Sequence, residues 1–177
     1  MQKQFFAALL GAALVMPLAA QAEGSYVKFG VGPSEYKDDI GSENKTAVAL
    51  AYGFSIDKNF DVELGYVNLG KLKLGSADAS SSTQTQSFYV AGVGTLPLTD
   101  AFSVFGKLGV TANHFNSKFT DADGTISNTD TKARALLGVG LAYNFTKEIA
   151  GTLEYQYFGK VEEMKLSTLT VGVKYGF

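Results

Sequence analysis

The residues best placed to do chemistry are seven charged side chains that stand inside otherwise apolar segments of the chain. They are Lys28, Asp61, Glu63, Lys107, Arg134, Glu154 and Lys174. Each falls on the side of its segment that carries glycine and small polar residues, while the other side carries no charge. An unpaired buried ion is unfavourable by several kcal/mol, so we expect such charges to pair. The following residues are predicted to form an interior charge network, which serves either as a structural set of salt bridges or as a gated ion path: Lys28, Glu63, Lys107, Glu154 and Lys174.

A hydrolytic site would have to use His114, because it is the only histidine. A hydroxyl nucleophile needs a histidine that a carboxylate holds in place. Asp121 and Asp123 are nearby in sequence, but they belong to a segment that we expect to be too flexible to orient the ring. We therefore predict an ordinary histidine at the outer end of a strand, no catalytic residue, and a protein that is not an enzyme.

The spacing of residues does not match a metal site or a nucleotide site either. The run from Asp121 to Thr125 is similar to the start of a calcium loop, but its twelfth position holds Lys132 where a glutamate is required. The absence of Cys excludes a thiolate zinc site. Glycines recur in pairs that we expect on the inward face, and none extends to a phosphate-binding loop: Gly30/Gly32, Gly92/Gly94 and Gly138/Gly140. We predict no cofactor and no metal.

The elements that must position the charges alternate with a period of two, which is the pattern of β-strands. We place strands near residues 24–32, 45–56, 60–69, 86–96, 101–113, 133–145, 148–158 and 167–177. The fourth is the least regular of them. Tyr89, Ala91 and Val93 are assigned to its apolar face, although Phe88 and Val90 then stand on its polar face.

The distribution of charge between the two faces of each strand indicates which face contacts lipid. A lysine or arginine on the outer face of a membrane barrel costs about 2–4 kcal/mol at mid-bilayer, so an apolar face free of charge favours contact with lipid. The sheet must also close, because an open edge in hydrocarbon leaves backbone donors and acceptors unpaired. The sequence therefore predicts an all-β fold, an eight-stranded antiparallel up-and-down transmembrane β-barrel.

Composition and connections agree with this prediction. A net charge of −2 lacks the basic surface that nucleic-acid binding needs, so no nucleic-acid partner is expected. The connections alternate between short ones (57–59, 97–100 and 146–147) and longer polar ones (33–44, 70–85, 115–131 and 159–165). This is typical of outer-membrane barrels, which have short periplasmic turns and longer outer loops. We expect the Ser/Thr/Gln-rich segment 76–86 to be a mobile exposed loop.

The first 22 residues have the pattern of a secretory signal peptide. Lys3 precedes an apolar run from Phe5 to Leu18, and Ala20-Gln21-Ala22 has small residues at the positions that a signal peptidase recognises. The apolar run is too short for a membrane anchor. We predict a signal peptide at 1–22 and a barrel domain at 23–177.

Three passages resemble the small outer-membrane β-barrels of Gram-negative bacteria, the group that includes the OmpA membrane domain, OmpX and the opacity proteins. Residues 62–66 are similar to the third strand of OmpA-type barrels, and residues 148–157 to the seventh. The closing residues resemble the family's C-terminal assembly signal: Leu169, Val171, Val173, Tyr175 and Phe177. The chain departs from the family at Thr152, where OmpA-type barrels place an arginine opposite the third-strand glutamate.

The resemblance implies a location in the Gram-negative cell outer membrane. The partners it implies are outer-membrane lipid and lipopolysaccharide, the barrel-assembly machinery and periplasmic chaperones. The implied role is structural or surface interaction, meaning membrane integrity, adhesion or host contact through the outer loops. Two alternatives stay open: a narrow gated channel for small solutes or ions, and a lipid A-modifying barrel enzyme.

Overall fold

The computed structural model describes residues 24–37, 41–76, 79–121, 124–161 and 164–177. The predicted signal peptide, 1–22, lies outside the described residues. The strands are β1 (Ser25–Lys37), β2 (Ser42–Asp57), β3 (Phe60–Ser76), β4 (Ala79–Pro97), β5 (Phe102–Asp121), β6 (Gly124–Asn144), β7 (Ile149–Val161) and β8 (Met164–Gly176). They form a closed antiparallel barrel in chain order, with β1 paired to both β2 and β8. The predicted fold class is confirmed.

The barrel has a lower end, with the first and last described residues and the turns at 58–59, 98–101 and 145–148, and an upper end, with the other four hairpins. The period-two pattern fixes which side chains point inward. On β1, Lys28 is 6% exposed whereas its neighbour Phe29 is 53% exposed. The same alternation puts a belt of Val, Leu, Phe and Tyr side chains on the outside of the barrel. No helix in the described part of the chain is long and apolar enough to cross a membrane.

Strand β4 has the opposite orientation to the predicted one. Tyr89 is 4% exposed and points into the barrel together with Ala91 and Val93, whereas Phe88 is 51% exposed and points outward. The pair Gly92/Gly94 therefore faces outward, so its predicted inward placement is also wrong. The reason is that both faces of β4 are apolar, so hydrophobicity could not distinguish them.

The four long loops predicted from the sequence are mostly strand. β5 and β6 pair from Phe102↔Tyr143 up to Asp121↔Gly124, and β3 and β4 continue to Ser76↔Ala79. The expected mobile loop at 76–86 is thus largely the first part of β4. These hairpins satisfy their backbone hydrogen bonds between their own two strands. Because most of their residues lie beyond the lipid-facing part of each strand, no face has to be apolar throughout, and their sequences lack the alternation that marks the membrane strands.

The extended hairpins form a sheet that projects from the barrel on one side. β2 stops pairing with β3 at Val48↔Asn68, and β7 stops pairing with β6 at Leu137↔Tyr157. Glycines with positive φ, Gly70 at 91° and Gly159 at 85°, lie at the breaks in the β3 and β7 ladders, where only glycine adopts that backbone easily. We call the projecting part the outer sheet and define it as residues 71–76, 79–85, 115–121 and 124–135.

Candidate functional site

Four of the predicted network residues meet at the centre of the barrel, on alternate strands β1, β3, β5 and β7. Lys28 Nζ lies 3.2 Å from Glu63 Oε2 and 2.6 Å from Glu154 Oε2. Lys107 Nζ lies 2.6 Å from Glu154 Oε1 and also pairs with Glu63 Oε1. Each cation thus contacts both anions and each anion both cations. We call Lys28, Glu63, Lys107 and Glu154 the ion quartet.

Small residues on the intervening strands make room for these long side chains. The register partner of Lys28 is Ala51, that of Glu63 is Ala91, and that of Lys107 is Gly138. A Cβ on Gly138 would lie 3.2 Å from Lys107 Cβ, which is a tight contact. The small face seen in the sequence is therefore what allows four charged groups to fit in one layer.

Neutral donors complete the shell around the carboxylates. Tyr26 Oη donates to Glu63 Oε2 at 2.9 Å, and Tyr89 Oη donates to Glu63 Oε1 at 2.5 Å. Gln156 Nε2 donates to Glu154 Oε1 at 2.8 Å. Buried charges are tolerated when they are paired and hydrogen-bonded, and Glu63 receives both ammonium groups and both phenols.

The sequence analysis missed the two tyrosines, although a signal for them exists. Each lies across the ladder from a glycine: Tyr26 pairs with Gly53, and Tyr89 with Gly65. A Cβ on either glycine would lie 2.1 Å from the tyrosine Cζ, so the ring occupies the space that the glycine leaves free. An inward tyrosine opposite a glycine could have been recognised as a unit once the register was known.

Lys174 lies outside the ion quartet. It is the register partner of Lys28, and its Nζ lies 4.3 Å from the centroid of the Tyr26 ring, which is within cation–π range. It lines a cavity of about 20 Å³ at the lower end of the barrel, where Thr152 and Asp61 also lie. Asp61 Oδ1 accepts a hydrogen bond of 2.6 Å from Ser55 Oγ. At the position of the family's arginine, Thr152 therefore lines a cavity and contributes no ion pair to the ion quartet.

Above the ion quartet the interior is filled rather than open. A cluster of large buried side chains occupies this half; we call it the upper core and define it as Tyr36, Val67, Leu69, Leu136, Phe158 and Leu166. Buried polar residues beside it are bonded to its backbone. Asn113 Nδ2 donates to the Phe158 carbonyl at 3.0 Å, and Ser34 Oγ donates to the Leu69 carbonyl at 2.6 Å. This half of the barrel therefore resembles the core of a globular protein.

Among the residues that the structure describes, the His114 ring forms no hydrogen bond with a carboxylate. It lies on the outward face of β5, and its Nδ1 is 2.9 Å from the Oγ1 of Thr131, its register partner. Asp121 is the last residue of β5, and Asp123 lies outside the described residues. In the described part of the chain, no three His, Cys, Asp or Glu side chains are grouped so that they could hold a metal ion.

The residues of the predicted C-terminal assembly signal all face outward, four of them on β8 and Phe177 directly after it. Their side chains are exposed on the barrel exterior: Leu169, Val171, Val173, Tyr175 and Phe177. Phe177 also helps to close the barrel, because its backbone N–H donates to the Ser25 carbonyl at 2.9 Å and its carbonyl accepts from the Ser25 N–H at 3.1 Å.

Bacterial surface proteins are among the solved structures with the same fold. Ail, the attachment invasion locus protein of Yersinia pestis, solved in complex with the heparin analogue sucrose octasulfate, aligns with a TM-score of 0.68 and 22% identity over 87% of this chain and 98% of its own. Neisserial surface protein A aligns with a TM-score of 0.66 and 16% identity over 86% and 97%. At these identities the likeness is one of fold.

Curated relatives point to one family. Outer membrane protein A of Salmonella typhi is 25% identical over 96% of this chain and 53% of its own length, and outer membrane protein P5 of Haemophilus influenzae is 28% identical over 86% and 50%. The chain thus spans about half the length of these relatives. The model of the OmpA-like transmembrane domain matches residues 20–177. The chain belongs to the OmpA-like transmembrane domain family and is a β-barrel of the Gram-negative outer membrane.

Proposed function

We propose that the protein is a non-enzymatic surface protein whose barrel holds the outer sheet above the outer membrane as an interaction surface. One observation carries this proposal: β5 and β6 are 20 and 21 residues long. A tilted strand needs only about 9–11 residues to cross the hydrocarbon. About half of this hairpin is therefore available outside the membrane.

The outer sheet offers two unpaired backbone edges. The described pairings give residues 124–135 of β6 no neighbour on the β7 side, and residues 71–76 of β3 none on the β2 side. An unpaired edge can accept an extended segment as an added strand, through backbone hydrogen bonds. The partner that fits is therefore an extended polypeptide segment of another protein. The fold shared with Ail, which is named for attachment and invasion, supports a contact role of this kind.

The remaining expectations concern the route of the chain to the membrane. We propose that residues 1–22 direct export and are then removed. We also propose that the C-terminal signal is read by periplasmic chaperones and by the barrel-assembly machinery. In the membrane, the exposed apolar belt contacts lipid and lipopolysaccharide. The upper end faces the cell exterior, because outer-membrane barrels have short turns on the periplasmic side and longer connections outside. The long, polar outer sheet therefore belongs on the outer side.

The test is to trim the outer sheet without disturbing the barrel. Asn116 and Thr129 are register partners, so replacing residues 117–128 by Asn-Gly should close the hairpin with a two-residue turn. In the control, Asn-Gly replaces residues 162–163 between the register partners Val161 and Met164. Adhesion to epithelial monolayers is measured for bacteria that express each form and for bacteria that lack the protein.

We expect the trimmed form to adhere less well than the wild type, because part of the β6 edge is lost while the β3 edge remains, and the control to adhere like the wild type. A heat-modifiable band in SDS gels, the mark of a folded outer-membrane barrel, must be present for both forms. The contact role is wrong if the folded, trimmed protein supports full adhesion, or if the wild type adds no adhesion at all.

A further inference from the structure

The interior of the barrel is divided into two halves that would treat an ion differently. The lower half has the small cavity at the lower end of the barrel, whose lining includes Lys28, Glu63 and Lys107 of the ion quartet. The upper half contains the upper core, in which Leu69, Leu136 and Phe158 have no exposed surface, together with buried uncharged polar residues such as Ser34 and Asn113. In the described part of the chain, the cavity beside the ion quartet therefore lies on its lower side, and the upper core lies between the ion quartet and the upper end of the barrel.

The two halves differ in how they could let an ion pass. In the ion quartet, a passing ion could exchange with an existing partner, because every group there is charged and has two partners of opposite sign. The upper core has no such group among its side chains: its large members are Tyr36, Val67, Leu69, Leu136, Phe158 and Leu166. An ion that enters an apolar constriction loses its hydration and gains nothing in return.

We propose that the upper core, rather than the ion quartet, is the permeability seal of this barrel. The ion quartet stabilises the barrel behind the seal and faces the periplasm. Breaking the salt bridges of the ion quartet therefore does not open a path through the protein. Removing large side chains from the upper core does open one. The assignment extends the proposed function, because a barrel sealed in this way works through its outer surface and not through its lumen.

The strand alternation supplies a matched pair of variants. Leu136 is fully buried in the upper core, and Leu137 beside it is 49% exposed on the barrel exterior. Phe158 and its neighbour Tyr157, the register partner of Leu137, stand on opposite faces in the same way. Leu136→Ala/Phe158→Ala therefore thins the seal, and Leu137→Ala/Tyr157→Ala removes similar side chains from the exterior.

The measurement is ion conductance of the purified full chain in planar bilayers. We expect the upper-core variant to pass ions at least about tenfold faster than the wild type, which corresponds to a barrier lower by about 1.4 kcal/mol. The exterior control should conduct like the wild type. So should Glu63→Gln/Lys107→Gln, which removes one anion and one cation of the ion quartet and keeps the charge balanced.

Folding is checked for every variant by the heat-modifiable band. If the double variant does not fold, Leu69→Ala thins the upper core from the opposite side on β3. The proposal is overturned if a folded upper-core variant conducts no better than its exterior control. It is equally overturned if the ion-quartet variant conducts as well as the upper-core variant while the upper core is intact.

Discussion

Glu63 is the residue whose loss should cost this barrel the most. Its carboxylate accepts hydrogen bonds from Tyr26 and Tyr89 and pairs with Lys28 and Lys107, all inside the barrel. Glu63→Gln keeps the shape of the side chain but removes its charge. Lys28 and Lys107 then share one carboxylate, and the interior carries an uncompensated positive charge.

The expected cost follows from the burial of the group. Removing one partner of a buried ion pair destabilises a protein by about 3–5 kcal/mol, because the other charge is left without compensation. An exposed pair is worth only about 0–1 kcal/mol. The Glu43–Lys45 pair, 3.1 Å apart on the partly exposed surface of β2, offers the matched control Glu43→Gln.

The assay is urea unfolding in phospholipid vesicles, followed by circular dichroism and by gel mobility, since the chain has no Trp to report on folding. We expect Glu63→Gln to lower the free energy of unfolding by about 3–5 kcal/mol and Glu43→Gln by less than about 1 kcal/mol. Glu63→Gln/Lys107→Gln should recover part of the loss, because it restores neutrality. The reasoning is refuted if Glu63→Gln is as stable as Glu43→Gln, which would mean that water screens the ion quartet.

Three further predictions use the two faces of the barrel and its closure. Gly65→Ala should cost about 1–3 kcal/mol in unfolding free energy, because the new Cβ would collide with the Tyr89 ring. Gly92→Ala, whose nearest atom would be 3.9 Å away, should not destabilise the barrel in the same assay. Leu137→Lys should cost about 2–4 kcal/mol, since it places a cation on the exposed apolar belt. Deleting Phe177 removes two backbone hydrogen bonds to Ser25 and the last residue of the proposed assembly signal, so outer membranes should contain less heat-modifiable protein.

The part of the candidate site that could be predicted from the sequence is the inward direction of its charged side chains, which follows from the period of two. Alternation alone places Lys28, Glu63, Lys107 and Glu154 on inward faces, and electrostatics requires that they pair. Alternation does not give the height of a residue in the barrel, because that depends on the stagger between strands. Lys174 is the register partner of Lys28, yet it lies beside the Tyr26 ring and outside the ion quartet. The stagger is set by pairing around the whole barrel, which no single segment reveals.

The strand ends were mispredicted for a related reason. The period-two rule detects a strand by a difference in hydrophobicity between its two faces. That difference exists only where one face meets lipid and the other does not. Above the lipid, neither face of a strand meets hydrocarbon, so Thr, Ser and Asn can occupy either face. The backbone pairing of β5 and β6 nevertheless continues to Asp121↔Gly124. The contrast therefore marks the membrane span of each strand rather than its length.

The reversed orientation of β4 shows where the same rule fails inside the membrane. The rule assumes that the lumen is polar, but this lumen also holds a cluster of buried hydrophobic side chains that includes Tyr89 and Ala91, so these two are as well placed inside as Phe88 is outside. What decides between the two orientations is a specific contact: only the inward one lets the Tyr89 hydroxyl reach Glu63, with the ring over Gly65. A strand with two apolar faces is thus oriented by its polar atom, because a buried hydroxyl must find a partner while an apolar side chain is satisfied by lipid or by protein.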